Sequence, residues 1–372
     1  MSELGPRYEE VYRFGALLGA FRLARRAKKG KGGEPAFYLD LERNLLGLSR
    51  ALESRTFRPD PFRYFTLRNK KERVVSEASF RDRVVHHALV GALEPWYEAE
   101  FIDWSYACRM GKGTHAALAR ASELASRHRY ALRMDVRRYF ESVDHEILIG
   151  LLAERVRDEG ILWLCRTLLD GALENRPESK LENERDSKAA ADMGAAASGC
   201  TPSGARRRGL PIGNLTSQFW ANVYLHPVDL LVTRRLGRGG SYLRYMDDLV
   251  LFGRDKAELW EVASEVKRFA SMELRLVMKG EATVMAPVSE GVAWLGCRVY
   301  PGTTRLDRTS RLRFARRIRE SCGEARRGPA AEDGEVAVAA SLAGHVAHAS
   351  TLAFRRSVMS LMGDGVGSEW RA

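Results

Sequence analysis

The stretch SYLRYMDDLVLFG, residues 241–253, decides the fold. Its runs SYLRY and LVLFG read as two strands that meet at a tight turn, and the turn carries the adjacent carboxylates Asp247 and Asp248. A hairpin of buried strands holds such oxygens rigidly at its tip, clear of the ladder hydrogen bonds. An isolated Asp-Asp pair says little, but this one has company. Upstream, YALRMDV (130–136) reads as a second strand that ends on Asp135, with Tyr139 and Phe140 close behind. Three carboxylates from two neighbouring strands suit hard, oxygen-seeking Mg²⁺. Two such ions about 3.5–4 Å apart can activate an attacking 3′-hydroxyl and stabilise a leaving pyrophosphate.

Outward from these strands the texture alternates. Residues 7–55 carry two helical stripes, one of Tyr8, Val11, Tyr12, Leu17, Leu18 and Phe21, the other of Leu39, Leu41, Leu45, Leu46, Leu48 and Leu52, joined by the basic, Gly-rich linker RRAKKGKGGEP. Residues 62–75 read as two short strands around a charged turn, and an amphipathic helix capped by Ser76 or Ser79 follows. HEILIGLLAERV after Asp144 is helical. Residues 172–208 lose aromatic and branched apolar side chains and are expected to form a mobile insertion. GLPIG then opens a long helix, KAELWEVASEVKRFASM forms another, and VAWLGCRVYP reads as one more strand. The last 70 residues are helical; between Arg305 and Arg327 nine arginines face three acids, while Leu312, Ala315, Ile318 and Cys322 keep an apolar stripe. That helix is expected to offer a track for a phosphate backbone.

Composition narrows the function. In 372 residues, 60 Lys and Arg stand against 48 Asp and Glu, a formal charge of +12 with a pI near 9.6, which favours a polyanionic partner. No apolar run has the length of a membrane span, and MSELGPRYEEVYRF is acidic where a signal peptide is basic, so a cytoplasmic protein without membrane contact is expected. Cys108, Cys165, Cys200, Cys297 and Cys322 lie far apart, which suggests neither disulfides nor zinc. The glycines of SYACRMGKGTH do not form GxxxxGK[ST], so nothing points to a Walker-type ATPase. His86 and His87 read as helix-packing residues.

Strand-Asp (RMDVRRYF), the turn GLPIG, the hairpin RYMDD, the lysine after LRLVM and the strand AWLG occur in the order used by the palm motifs of reverse transcriptases, which residues 60–301 resemble. The resemblance implies an α+β right-hand polymerase. Its expected parts are an N-terminal helical extension (1–60), fingers and an antiparallel-sheet palm (61–301, with the 172–208 insertion), and a basic helical thumb (302–372). It makes Asp135, Asp247 and Asp248 the catalytic and metal-binding triad, with Val136 a further metal position and two Mg²⁺, or Mn²⁺ in their place, as cofactors. Phe140 resembles the steric gate against a 2′-hydroxyl, with Tyr139 the other candidate, and Arg138 and Tyr139 would offer backbone amides to the triphosphate. Arg68, Lys71 and Arg73 resemble fingers cations, although a solvated turn also accounts for Arg68 and Lys71. Ile212, Gly213, Gln218 and Lys279 complete the nucleotide site. Tyr106, Arg109, Lys112 and Gly113 resemble a template segment; Tyr245, Met246, Leu295, Gly296, Arg313, Arg316 and Arg317 would face template or primer.

Where relatives have Gln-Gly followed by Ser-Pro, this chain has IGNLTSQ, with Ile212 for Gln and Gln218 for Pro. Together with FRDRVVHHAL and GKGTH, this resembles the reverse transcriptases of diversity-generating retroelements. It implies RNA template, RNA/DNA hybrid and dNTPs as partners, a small basic accessory protein, and copying that is error-prone at template adenines. A defence-associated or domesticated reverse transcriptase, or a catalytically silent RNA-binding protein, stands as the alternative.

Overall fold

The computed structural model describes residues 5–26, 29–68, 72–174, 207–237 and 239–325. The chain divides into two compact units, one of residues 1–102, 136–228 and 268–277, the other of residues 103–135, 229–267 and 278–372. Helices and antiparallel strands are mixed, as an α+β chain requires. No helix among the described residues is long and apolar enough to cross a membrane.

The first unit opens with helices Glu9–Tyr12, Phe14–Arg25, Glu34–Leu39 and Leu41–Glu53. Leu17, Ala20, Phe21 and Ala24 bury one face of the second, and Leu45, Leu48 and Leu52 one face of the fourth, the helical spacing of an amphipathic surface. The expected second stripe was too wide: Leu39, the last residue of its helix, is 90% exposed, and Leu46, one position off the buried line, is 38% exposed. In the linker, Arg25 pairs with buried Glu34 at 2.6 Å and its guanidinium lies 3.9 Å over the Tyr38 ring.

Strands β1 (Arg63–Arg68) and β2 (Glu72–Glu77) pair antiparallel, with Arg68 opposite Glu72. Ser79, not Ser76, caps the next helix, Phe80–Glu98, by accepting a hydrogen bond from the Asp82 amide at 3.2 Å. Helices Tyr139–Ser142, His145–Ala153 and Glu159–Glu174 follow; of the expected 172–208 insertion, residues 175–206 lie outside the described residues. Gly209 to Gly213 then leads into the helix Leu215–Leu236.

The second unit is built on two sheets. β3 (Tyr130–Asp135), β4 (Ser241–Tyr245), β5 (Asp248–Gly253) and β6 (Val284–Pro287) form one in the order β4-β5-β3-β6, antiparallel throughout. β7 (Val292–Trp294), β8 (Cys297–Tyr300) and β9 (Thr303–Leu306) form an antiparallel meander. The expected single strand VAWLGCRVYP is therefore two strands. They fold back at Leu295 and Gly296, whose φ values of 48° and 77° are those of a two-residue hairpin turn. The helix Thr114–Arg127 covers both sheets through Leu118 and Leu124, in a core with Leu243, Val250, Phe252, Trp294, Val299 and Phe314. Phe314 also corrects the apolar stripe of the final helix, Arg308–Ala325: Phe314 is buried and Ala315 packs beside it, whereas Leu312 is 63% exposed. The side chains of Ile318 and Cys322 lie outside the described residues.

His86 tests the packing of the first unit. Its Nδ1 lies 2.7 Å from the Thr216 hydroxyl, and Nε2 is buried with no partner among the described residues. Burial, reinforced by His87 and Arg83, pushes its pKa down to about 3. A histidine held neutral in the folded state contributes stability that is present above its unfolded pKa of about 6.5 and is lost as pH falls towards 3. Urea unfolding of His86→Gln should therefore show a flatter loss of stability than wild type between about pH 6.5 and 4; an unchanged slope would assign acid sensitivity to other groups.

Candidate active site

The second unit brings its carboxylates together through strand register. Asp135, last in β3, lies directly opposite Asp248, first in β5, and Asp247 occupies the two-residue loop between β4 and β5. The neighbours are cations. Arg133 forks onto Asp248, with Nε and Nη2 donating to its two oxygens at 2.8 Å each, and Lys279 Nζ donates to Asp135 Oδ1 at 2.5 Å. The Lys279 amide also donates to the Asp135 carbonyl, so the lysine is fixed at both ends.

The electrostatics report crowding. Burial raises the Asp248 pKa to about 6, helped by the fields of Asp135 and Asp247 and opposed by Arg133. Burial works against the Arg133 charge, but the fork to Asp248 and the fields of all three carboxylates outweigh it and raise its pKa. Among the described residues no three acidic, histidine or cysteine side chains converge closely enough to enclose an ion as they stand. In kind, however, the donors fit a hard cation: they are carboxylate oxygens only, and two of the three are already neutralised by positive charge.

The other expected template and primer residues of this unit are placed as follows. Tyr106 is buried, donating its amide to the Arg244 carbonyl and accepting from Gly113. Arg109 is buried and donates to the Ser105 carbonyl, and Lys112 donates to the Asp103 carbonyl with its ammonium 5.2 Å over the Tyr106 ring. Gly113 has φ 112°, a value that favours glycine. The Tyr245 hydroxyl accepts from Thr114, and Met246 sits at φ 58° in the loop between β4 and β5. A side chain at Gly296 would press on Ser310 Oγ at 2.9 Å. Arg313, Arg316 and Arg317 are exposed on the final helix.

The first unit holds the remaining expected nucleotide residues. Arg138 is exposed at φ 46°, and Tyr139 is buried with its hydroxyl donating to the Ala221 carbonyl at 2.5 Å. Phe140 is half-buried, its ring 5.7 Å from that of Tyr139. The Ile212 carbonyl accepts from the Ser76 amide at 2.8 Å, and Gly213, at φ 114°, approaches Val75 and Ser76 so closely that a Cβ would meet Val75 at 2.8 Å. Gln218 is half-buried in the first turn of the Leu215–Leu236 helix, and Val136, next in chain to Asp135, is buried. Lys71 and the side chains of Arg68 and Arg73 lie outside the described residues.

Sequence reading missed Arg133, although alternation along a strand would have placed it on the same face as Asp135, two residues on. It also missed the ion pair of Asp229 and Arg244, both fully buried. No periodicity could have announced that pairing, because the partners come from a helix and a strand.

Residues 67–299 match the reverse transcriptase (RNA-dependent DNA polymerase) family. The chain is 26% identical over 253 residues to the group II intron-encoded protein LtrA of Lactococcus lactis subsp. cremoris, covering 67% of this chain and 37% of LtrA. It is 25% identical over 283 residues to protein YkfC of Escherichia coli strain K12, covering 65% of this chain and 68% of YkfC. It thus spans little more than a third of LtrA's length. Apo telomerase from Candida tropicalis superposes with a TM-score of 0.49 at 9% identity, over 67% of this chain and 49% of that one.

The fork on Asp248 carries a measurable coupling. In a double-mutant cycle of Arg133→Met and Asp248→Asn followed by urea unfolding, the pair should couple by about 1.5–3 kcal/mol, the range of hydrogen bonds to charged groups. Coupling below about 0.5 kcal/mol would mean that the two side chains do not meet in solution.

Proposed function

The chain belongs to the reverse transcriptase (RNA-dependent DNA polymerase) family, and on that premise we propose that it copies an RNA template into DNA at the Asp135, Asp247 and Asp248 cluster. The observation that carries this reading is the register of β3 on β5, which sets Asp135 against Asp248 beside the Asp247 loop. Reverse transcriptases generally use divalent metal ions. Here the three aspartates, with the main-chain carbonyl of Val136, are the groups that would hold Mg²⁺ or Mn²⁺; the bound metal supplies Lewis acidity to the primer 3′-hydroxyl and to the departing pyrophosphate. The chain's own cations do the rest of the charge balancing. Arg133 keeps Asp248 oriented and ionised, and Lys279 neutralises Asp135 while remaining a donor for a nucleotide phosphate. Arg68, Lys71 and Arg73 are further phosphate cations.

Phe140 is the sugar gate in this reading, and the commitment of the Tyr139 hydroxyl to Ala221 supports it over Tyr139. Tyr106, Arg109, Lys112, Gly113, Tyr245, Met246, Leu295 and Gly296 belong to the template and primer path, continued by the exposed arginines 313, 316 and 317. The finer assignment is a polymerase of the diversity-generating type, error-prone at template adenines and working with a small basic accessory protein. Ile212 supports it, because a hydrocarbon at that position cannot hydrogen-bond the incoming sugar as a glutamine can.

Two experiments test these levels separately. Asp247→Asn or Asp135→Asn should abolish primer extension on RNA while RNA binding persists, since the loss is confined to transition-state charge stabilisation; wild-type-like extension by either variant overturns the catalytic assignment. Ile212→Gln should lower misincorporation opposite template adenine by about two- to twelve-fold, the equivalent of one hydrogen bond at roughly 0.5–1.5 kcal/mol. Sequencing cDNA from both enzymes on one template reads this ratio, and equal error rates at adenine remove Ile212 from the mechanism.

A further inference from the structure

The Met246–Asp247 loop is held from beneath by groups that have no place in the chemistry just described. Arg244, next in β4 to Tyr245, is fully buried. Its Nε and Nη2 donate to Asp229 Oδ1 and Oδ2 at 2.7 and 2.6 Å, and the Tyr242 hydroxyl donates to Asp229 Oδ1 at 2.9 Å. The third guanidinium nitrogen, Nη1, points elsewhere: it donates to the main-chain carbonyl of Met246 at 3.1 Å.

That carbonyl belongs to a residue in an unfavourable conformation. Tyr245 and Asp248 are register partners, so the loop has two residues, and Met246, the first of them, has φ 58° without being glycine. Such a backbone persists only where its surroundings over-determine it. The Arg244 main chain is fixed as firmly as its side chain, with its amide donating to the Trp104 carbonyl and its own carbonyl accepting from the Tyr106 amide, each at 2.9 Å. An ion pair buried merely for stability gains little over an apolar pair of the same volume. An apolar pair, however, has no donor for the Met246 carbonyl.

We propose that Asp229 and Arg244 are positioning residues: the carboxylate orients the guanidinium, and the guanidinium fixes the Met246 carbonyl and with it the direction of Asp247 and Asp248. The inference rests on the catalytic reading of those two aspartates. It differs from that reading in kind, since Asp229 and Arg244 are both fully buried and act only through the loop. Lysine at 244 would keep the charge opposite Asp229, yet one ammonium cannot reproduce a planar fork on the carboxylate together with a separate donor to the loop.

The test measures single-turnover extension on an RNA template, the Mg²⁺ concentration at half-maximal rate, the half-saturating dNTP concentration, the primer-template affinity and the thermal midpoint for wild type, Arg244→Lys and Tyr242→Phe. Arg244→Lys should lose at least about tenfold in rate and need several-fold more Mg²⁺, with dNTP half-saturation and primer-template affinity within about twofold of wild type. Tyr242→Phe removes one hydrogen bond to Asp229 but leaves the fork, so it should lower the thermal midpoint and spare rate and Mg²⁺ requirement. Wild-type rate and Mg²⁺ requirement in Arg244→Lys would overturn the proposal, as would rate losses that simply track the thermal midpoint in both variants. If Arg244→Lys does not fold, Asp229→Asn, which keeps every heavy-atom position, is read by the same criteria. Failure of the wild-type protein to extend a primer would instead count against the catalytic reading itself.

Discussion

Like charges do not share a partly buried space unless something else holds them there. Two unit charges about 4 Å apart repel by about 4 kcal/mol at an effective dielectric near 20, so a cluster of Asp135, Asp247 and Asp248 needs a scaffold and counter-charge. The scaffold is the β4-β5-β3 ladder, whose register sets the carboxylates before any side chain adjusts. The counter-charge comes from Arg133, on the same strand as Asp135, and from Lys279, tied to Asp135 by both main chain and side chain. The raised Asp248 pKa is the residue of this conflict: burial and two neighbouring carboxylates outweigh even a two-pronged arginine.

The apolar part of the second unit serves the same end. β5 is buried along Leu249, Val250, Leu251 and Phe252, so a one-residue slip of register would move the carboxylates as well as the core. Packing by Leu243, Trp294, Val299 and Phe314 makes that slip expensive. The hydrogen-bond ladder that packs the core thus also sets Asp135 opposite Asp248.

Much of this was legible beforehand. Apolar and aromatic runs announced β3, β4 and β5 and the tight turn between the last two, because strand texture and turn position are local properties; the turn is shorter than read, since Asp248 already pairs with Tyr245 as the first residue of β5. The misreadings arose where local pattern was silent. VAWLGCRVYP contains no turn signal beyond Gly296, so its division into β7 and β8 depended on Leu295 accepting a left-handed backbone. Leu39 and Leu46 looked like core because leucine spacing alone does not say which neighbour a helix meets. Arg133 could have been found from its two-residue spacing to Asp135. The pairing of Asp229 with Arg244 is tertiary, and a single sequence holds no trace of it.

The central claim is that a carboxylate cluster set by strand register directs RNA-templated DNA synthesis. The most direct measurement is extension of a labelled DNA primer on a defined RNA template by the purified chain with Mg²⁺ and dNTPs, followed by sequencing of the product. The account predicts a DNA strand complementary to the RNA, made from deoxynucleotides and absent when the template is omitted. Folded protein that binds the primer-template yet leaves the primer unextended would contradict it.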